Sequence, residues 1–223
     1  MKKASISYAK KSLICCLVMI EKVESLTRGY AGKILWVDLR EERLTAKDLD
    51  GGMARKYIGG VGFAAKILWD ETTADTKPLS PENPLIFMTG PLTGFVPSSS
   101  RYIVSAISPL TNIFGVASAG GNWAVELKQA GFDGIVIKGE SKKPVYLWVN
   151  NETVDIVDAN HLWGKDTYEV FELLRKETNE KASAATIGPA GEKLVRIASI
   201  ISDGKVGRAA ARCGLGAVMG FKK

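Results

Sequence analysis

The alternation of apolar and polar residues predicts a series of short strands along the chain. Residues 31–39 place Ile34 and Trp36 among polar neighbours, which is typical of a half-buried strand. The polar turn at residues 40–43 predicts that residues 44–49 return as a second strand. Further strands are predicted at residues 85–89, 102–107, 134–138, 184–187 and 195–201, and a hairpin at residues 145–149 and 153–157.

Helical periodicity is present in three places. Residues 54–69 carry one apolar stripe, which Gly59-Gly60 interrupts, and residues 122–130 form a second amphipathic segment. Residues 166–177 are the clearest helix, with Asp166 or Thr167 as the predicted cap. Because strands and helices do not alternate regularly and hairpins are frequent, the predicted fold is α+β with mostly antiparallel sheets and a few helices.

The charge is unevenly distributed. The net charge is +6, and residues 1–28 contribute six basic and two acidic residues to it, so the rest of the chain is only weakly basic. Without a basic face carrying stacking aromatics, nucleic-acid binding is not expected. We expect residues 1–28 to be an extension outside the main fold. Its apolar run at residues 13–20 is too short to span a bilayer, and the charged residues 21–24 oppose the alternative of a signal peptide.

Cysteine and histidine usage limits the metal chemistry available to the chain. Cys15, Cys16 and Cys213 have no metal-ligand spacing, and reduced thiols in a cytoplasmic protein are expected. His161 is the single histidine, so a site with several histidine ligands cannot be built from this chain. A structural role for His161 is favoured over a functional one.

The last twenty residues, 204–223, have the composition of an anion-binding loop. Five basic residues stand there among five glycines, with no acidic residue after Asp203. Small residues let the backbone approach a ligand and offer it N–H groups, and arginine adds a planar fork that matches phosphate oxygens. This segment is therefore predicted to be a binding loop for a large anionic ligand.

Two further segments are candidates for anion binding. Arg101 follows three serines at the start of a predicted strand, where it either faces a polyanion or is an ordinary surface arginine. Residues 117–121 form a small-residue loop before the predicted helix 122–130, which is typical of an anion site or of a tight turn. Residues 58–62 lack the spacing of a dinucleotide-binding motif.

Several segments, taken together, resemble the N-terminal domain of the tungsten-containing aldehyde:ferredoxin oxidoreductase family. The resemblance extends over residues 29–223. It is carried, in order and spacing, by residues 32–39, 79–87, 89–94, 99–102, 126–128, 159–164, 187–192 and 208–220.

The resemblance implies a base domain that supports a tungsten (or molybdenum) bis-molybdopterin cofactor, whose phosphates are bridged by magnesium. Arg101 matches an arginine between the pterin and a 4Fe-4S cluster, which is held by later domains. The other matched cofactor-binding positions are Ser118, Gly120, Arg208, Ala209, Ala211 and Cys213. Backbone carbonyls of Ser118 and Ala209 match the magnesium ligands. The chain departs from the family at Ser118, where asparagine is usual, and at residues 211–214, where the family has Gly-Arg-Gly-Gly.

The resemblance also implies an activity, the oxidation of aldehydes to carboxylic acids with ferredoxin as electron acceptor. The cluster cysteines and substrate-side residues belong to later domains, so this chain is expected to be a fragment or a split subunit that is inactive alone. A related tungsten acyl-CoA reductase is an alternative, as is a stand-alone pterin-phosphate-binding module or an inactive remnant. The implied partners are the later domains, ferredoxin and a second copy of the chain, with no membrane.

Overall fold

A six-stranded sheet organises the structure, which a computed structural model describes for residues 29–151 and 153–223. The predicted extension, residues 1–28, lies outside the described residues. The spatial order is β2 (Arg43–Asp48), β1 (Lys33–Asp38), β6 (Gly134–Lys138), β3 (Leu85–Met88), β4 (Tyr102–Ile107) and β5 (Phe114–Ala119). β1 and β6 run parallel, and the other neighbouring strands are antiparallel.

Two smaller sheets complete the strands. The predicted hairpin is confirmed as β7 (Val145–Asn150) paired with β8 (Thr153–Asp158). A three-stranded antiparallel sheet contains β9 (Ala185–Thr186), β10 (Ile200–Ser202) and β11 (Arg208–Ala210). β11 lies against β5, the edge strand of the large sheet. The predicted α+β class with mostly antiparallel sheets is confirmed.

Within residues 29–151 and 153–223, six α-helices connect and cover the sheets. Asp166, one of the two predicted caps, caps the helix Thr167–Glu177, and a capping box with Glu169, which was not predicted, completes its start. Positive φ angles at Ile58, Gly59 and Gly60 separate two short helices, so the break predicted within residues 54–69 is confirmed. No helix within the described ranges is long and apolar enough to cross a membrane. The helices are α1 (Gly51–Tyr57), α2 (Val61–Glu71), α3 (Trp123–Gln129), α4 (Thr167–Glu177), α5 (Pro189–Glu192) and α6 (Leu215–Lys222).

The large sheet has a hydrophobic core on each face, because strand side chains alternate between faces. Ile86 and Met88 of β3 pack with α1 and α2, whereas Leu85 and Phe87 join a larger core with α3, α6 and β10. β6 contributes to both cores in the same way. A sheet covered on both faces is held rigidly, so its β5 edge is a firm base for a site.

Two predictions differ from the structure: one predicted strand is mostly not a strand, and one predicted loop is largely part of a strand. Residues 195–201 were predicted as a strand, but only Ile200–Ser202 pair with neighbours. Residues 117–121 were predicted as a loop, but Ala117 and Ala119 are buried in β5, where they pair with β4. β5 is rich in glycine, alanine and serine, which lack the strong strand propensity of β-branched residues, so the periodicity was not recognised.

Candidate functional site

Arg101 and Ser118 meet at the edge of the large sheet. Arg101 directly precedes β4, and Ser118 lies on β5, whose register pairs it with Ile103. The Arg101 Nη1 atom donates to the Ser118 Oγ atom at 3.1 Å, and both residues are exposed. The register of two antiparallel strands therefore orients an exposed guanidinium along β5.

The second group of predicted residues lies on and after β11. Arg208 and Ala209 are exposed on this strand, and Ala211 is exposed just beyond it. Ala210, between Ala209 and Ala211, is fully buried, so β11 is anchored in the core at this residue and is open at Arg208 and Ala209. β11 lies against β5, and a Cβ atom built on Gly121, just after β5, would lie 3.0 Å from Arg208 Cγ, so Arg208 stands beside the end of β5.

Cys213 fixes the turn after β11 to the large sheet. The Ser108 Oγ atom donates to the Cys213 carbonyl at 2.8 Å, and the Cys213 Sγ atom lies 3.7 Å from the Val116 carbonyl oxygen. Cys213 has φ +62°, in the left-handed region where glycine is favoured. The left-handed backbone explains why glycine suits position 213, and cysteine adopts this left-handed conformation here.

The start of α3 is occupied by a side chain that the sequence analysis did not select. The Asp203 carboxylate accepts hydrogen bonds from the Asn122 N–H at 2.9 Å and from the Trp123 N–H at 3.2 Å. These are the N–H groups that a helix N-terminus offers to an anion, so the predicted anion site is filled by the protein's own carboxylate. Burial raises the pKa of Asp203, while both hydrogen bonds and the charge of Arg208 oppose this shift.

Gly120 and Gly121 differ in what surrounds them. A Cβ atom added at Gly120 would meet nothing within 4 Å, so its backbone is open to a ligand. A Cβ atom at Gly121, where φ is +99°, would lie 1.5 Å from Asp203 Oδ2 and 3.0 Å from Arg208 Cγ. Glycine at 121 therefore allows the first loop, Asp203 and Arg208 to come together.

The predicted binding loop at residues 204–223 is corrected by the structure. Only its first half is exposed near β5, whereas residues 215–222 form α6, which packs in the core. Lys222 is 2% exposed and donates from Nζ to the Gly139 carbonyl oxygen at 3.1 Å. Burial lowers the pKa of Lys222 to about 7. Lys222 is therefore part of the interior and does not belong to the basic surface around Arg208.

The predicted structural role of His161 fits its surroundings. Its Nε2 atom lies 3.0 Å from Glu177 Oε2, on the exposed side of α4. Among residues 29–151 and 153–223, no cluster of histidine, cysteine, aspartate or glutamate has the arrangement of a metal site. The magnesium site at the carbonyls of Ser118 and Ala209 stays a prediction.

Lys128 is a second residue whose role the sequence did not reveal. Its Nζ atom donates to the carbonyl oxygens of Gly29 and Gly90 and lies 3.4 Å from Asp133 Oδ1. The Asp133 carboxylate also accepts from the N–H groups of Ala31 and Gly32. The segment 126–128 of the family resemblance therefore contributes Lys128 to an ion pair with Asp133, and the two residues together bind the backbone of residues 29–32.

These features define an α+β domain whose sheet edge presents arginines, small residues and open backbone. Comparison with known proteins identifies it further. Residues 34–223 match the family model described as aldehyde ferredoxin oxidoreductase, N-terminal domain. The chain belongs to this family.

The curated relatives that this chain matches are much longer than it is. It is 44% identical over 196 residues to the tungsten-containing aldehyde ferredoxin oxidoreductase of Pyrococcus furiosus, a match that covers 87% of this chain and 32% of the relative. The aliphatic sulfonate oxidoreductase, WOR-like subunit, of the same organism is 39% identical over 210 residues and is covered to 33%. The chain therefore spans about a third of the length of these relatives.

A solved structure shares the fold. It is described as the active site complex BamBC of benzoyl coenzyme A reductase in complex with 1,5 dienoyl-CoA. Its TM-score is 0.85 at 43% sequence identity, with 88% of this chain and 30% of that chain covered. The relatives thus include proteins with different named activities on one base domain.

Proposed function

We propose that this chain is the cofactor-supporting domain of a tungsten bis-molybdopterin oxidoreductase that oxidises aldehydes to carboxylic acids with ferredoxin as acceptor. The observation that carries the proposal is the placement of two arginines around the end of β5, Arg101 hydrogen-bonded to Ser118 and Arg208 beside Gly121, with open backbone at Gly120. The later domains of the longer relatives would supply the cluster ligands and the substrate pocket.

The residues present fit a large anionic group. Arg101 and Arg208 are exposed cations on neighbouring elements, and charge-assisted contacts with phosphate are among the stronger hydrogen bonds. Gly120 offers space where a side chain would otherwise stand. When bound, the tungsten cofactor supplies the two-electron redox chemistry, and this chain's residues bind and orient it.

The two departures from the family pattern are compatible with this role. The proposed metal contact at Ser118 is a backbone carbonyl, which does not depend on the side chain, and the serine hydroxyl instead accepts from Arg101. Cys213 keeps the left-handed backbone that glycine would adopt, and its side chain turns toward Val116 of β5. Neither substitution fills the space at Gly120.

A tungsten acyl-CoA reductase is a second candidate, because the benzoyl coenzyme A reductase complex shares 43% identity and the fold. The two candidates share the cofactor surface, and in both the substrate would lie against later domains. We would assay the complete tungsten-loaded enzyme with aldehydes and ferredoxin, and with aromatic acyl-CoA and a reductant. Turnover of acyl-CoA alone would contradict aldehyde oxidation and favour the second candidate.

The site is tested by Arg101→Ala and Arg208→Ala, each in this chain together with the later domains. Each contact is typically worth about 1.5–3 kcal/mol, so tungsten and pterin content at limiting cofactor should fall about tenfold or more. Lysine at either position should restore only part of it, because the charge remains but the planar fork is lost. Metal analysis and circular dichroism make the measurement.

Arg55→Ala is the matched control, since Arg55 is an exposed arginine of α1 that takes no part in the candidate site. It should keep full tungsten. All three variants should unfold within about 0.5 kcal/mol of the parent, as surface substitutions do. Full tungsten content in both Arg101→Ala and Arg208→Ala would show that the assigned site is wrong.

A further inference from the structure

Asp203 connects the two parts of the candidate site. It lies between β10 and β11, the strand that carries Arg208, and its side chain reaches across to α3. There its two carboxylate oxygens accept from two different backbone N–H groups, Oδ2 from Asn122 and Oδ1 from Trp123. One side chain therefore ties the loop after β5 to the turn before β11.

The surrounding backbone is shaped for this connection. Asp203 has φ +61°, a left-handed conformation that aspartate tolerates better than most residues. Gly121 has φ +99°, and any side chain there would overlap the carboxylate. Gly204 follows with φ +50°, and a Cβ atom there would lie 2.2 Å from the Phe171 ring. The turn is therefore fixed by contacts with Phe171 of α4 and with the start of α3.

Considered alone, the negative charge of Asp203 weakens the binding of an anionic ligand nearby. A carboxylate near Arg208 weakens the attraction of an anion to this cation. The same carboxylate fixes the distance between the loop at Gly120 and the strand at Arg208. A polydentate ligand that contacts both loops gains from such fixed spacing, because less freedom is lost when it binds.

We infer that Asp203 is a positioning residue for the cofactor, one that holds the loop 118–122 and the strand β11 at the separation a phosphate-bearing pterin needs. This inference rests on the proposed function. Asp203 acts through the backbone at Asn122 and Trp123 and through Arg208, and it does not itself contact the cofactor.

The test compares Asp203→Ala with Asp50→Ala, in this chain together with the later domains. Asp50 caps α1, another seven-residue helix, by accepting from the Met53 N–H, and it makes no contact with the loop at Gly120 or with Arg208. Both variants lose a helix cap, so both should lower the Tm by about 2–4 °C. Only Asp203→Ala should lower tungsten and pterin content, by about tenfold.

Asp203→Asn separates positioning from charge. Its amide oxygen accepts at least one of the two backbone N–H groups, and asparagine tolerates a left-handed backbone. Positioning predicts a cofactor content between those of Asp203→Ala and the parent. Electrostatic repulsion predicts that both variants retain more cofactor than the parent, and this result would overturn the inference.

Hydrogen exchange gives a readout that does not need the cofactor. In cofactor-free protein, the amides of Asn122 and Trp123 should lose protection in Asp203→Ala and keep it in Asp50→Ala. If exchange increases but tungsten content matches that of Asp50→Ala, Asp203 is only a helix cap and the inference fails. If the Asp203→Ala protein does not fold, the comparison of Asp203→Asn with the parent decides in the same way.

The outcomes also separate this inference from the proposed function. Loss of tungsten in Arg101→Ala and Arg208→Ala, with full content in both Asp203 variants, would remove only the role of Asp203. Full content in all four variants would remove the assigned site itself.

Discussion

Two neighbouring halves of the chain's last segment share one composition and serve different purposes. Residues 204–213 form an exposed turn and strand at the sheet edge, where Arg208 and Arg212 face outward. Residues 214–222 are mostly buried, and α6 packs against α5 and the loop before β10. Glycine is frequent in both, yet in the first half it permits turns and in the second it permits close packing of backbone on backbone.

The difference shows that glycine and lysine content does not by itself define a binding loop. Gly214, Gly216 and Gly220 each face a backbone carbonyl oxygen so closely that an added Cβ atom would overlap it. Lys222, counted from the sequence among five basic residues, is instead a buried lysine of α6. In a glycine-rich basic segment, the exposed residues therefore have to be separated from the buried ones before its basic residues are assigned to ligand binding.

The largest expected effect is that of Gly220→Ala in α6. The added Cβ atom would lie 2.0 Å from the Gly191 carbonyl oxygen, so α5 and α6 would have to separate. We expect a loss of about 3 kcal/mol, which corresponds to a Tm lower by about 6–12 °C. The measurement is thermal unfolding of the 223-residue chain.

Gly207→Ala is the matched substitution in the exposed half. The nearest atom to its added Cβ, Tyr168 Oη, is 3.8 Å away, so only the left-handed backbone at φ +61° opposes it. That strain is worth about 1–2 kcal/mol. Equal losses in the two variants would mean that the halves do not differ as described.

The second effect concerns Lys222. Its pKa in the folded protein is about 7, below the ordinary 10.5, so between these values the unfolded chain binds more protons and stability rises with pH. Lys222→Met removes the buried charge and should stabilise the chain by about 2 kcal/mol at pH 6, with a gap that narrows toward pH 10. Urea unfolding at pH 6, 8 and 10 measures this.

Lys205→Met is the control in the exposed half. The Lys205 side chain is 80% exposed and lies 3.6 Å from Glu172, a surface pair whose contribution is typically below about 1 kcal/mol. Its replacement should change stability little, and by the same amount at each pH. A gap between Lys222→Met and the parent that stays constant from pH 6 to pH 10 would contradict a depressed lysine pKa.

The smallest effect is expected at Cys213, where the two halves meet. Cys213→Gly relieves a left-handed backbone at φ +62°, but it gives up the side-chain packing near Gly115 and adds freedom to the unfolded chain. We expect a net gain of no more than about 1 kcal/mol in urea unfolding. Cys213→Ala keeps the strain and loses the sulfur, so it should be the less stable of the two; the reverse order would show that packing outweighs strain here.

Much of the fold could be predicted from periodicity. The hairpin β7–β8 and helix α4 were predicted because alternation, turn residues and the Asp166 cap all agree there. α6 was missed because its small and apolar residues surround the whole helix and leave no polar face to reveal a period. β11 was missed because it is only three residues long.

The cationic residues of the candidate site could be predicted from the sequence, but the residue that holds its two loops together could not. Arg101 was placed at the start of a strand and Arg208 in a basic segment, and both are exposed as a ligand would require. Their assigned roles, like those of the other matched residues, stay predictions. Asp203 was not selected, because its partner N–H groups lie 80 and 81 residues earlier and no local pattern announces such a contact.

The position of β6 has a consequence for the order in which the protein can assemble. β6 stands between β1 and β3, with β1 and β2 as a local hairpin on one side and β3, β4 and β5 as a local meander on the other. Neither piece touches the other within the sheet until residues 134–138 are in place. Ile135 enters one core and Val136 the other, so a single strand closes both. The parallel pairing with β1 spans about a hundred residues, and such distant contacts slow folding. During synthesis, the β1–β2 hairpin and the β3–β4–β5 meander therefore keep unpaired edges until β6 joins them.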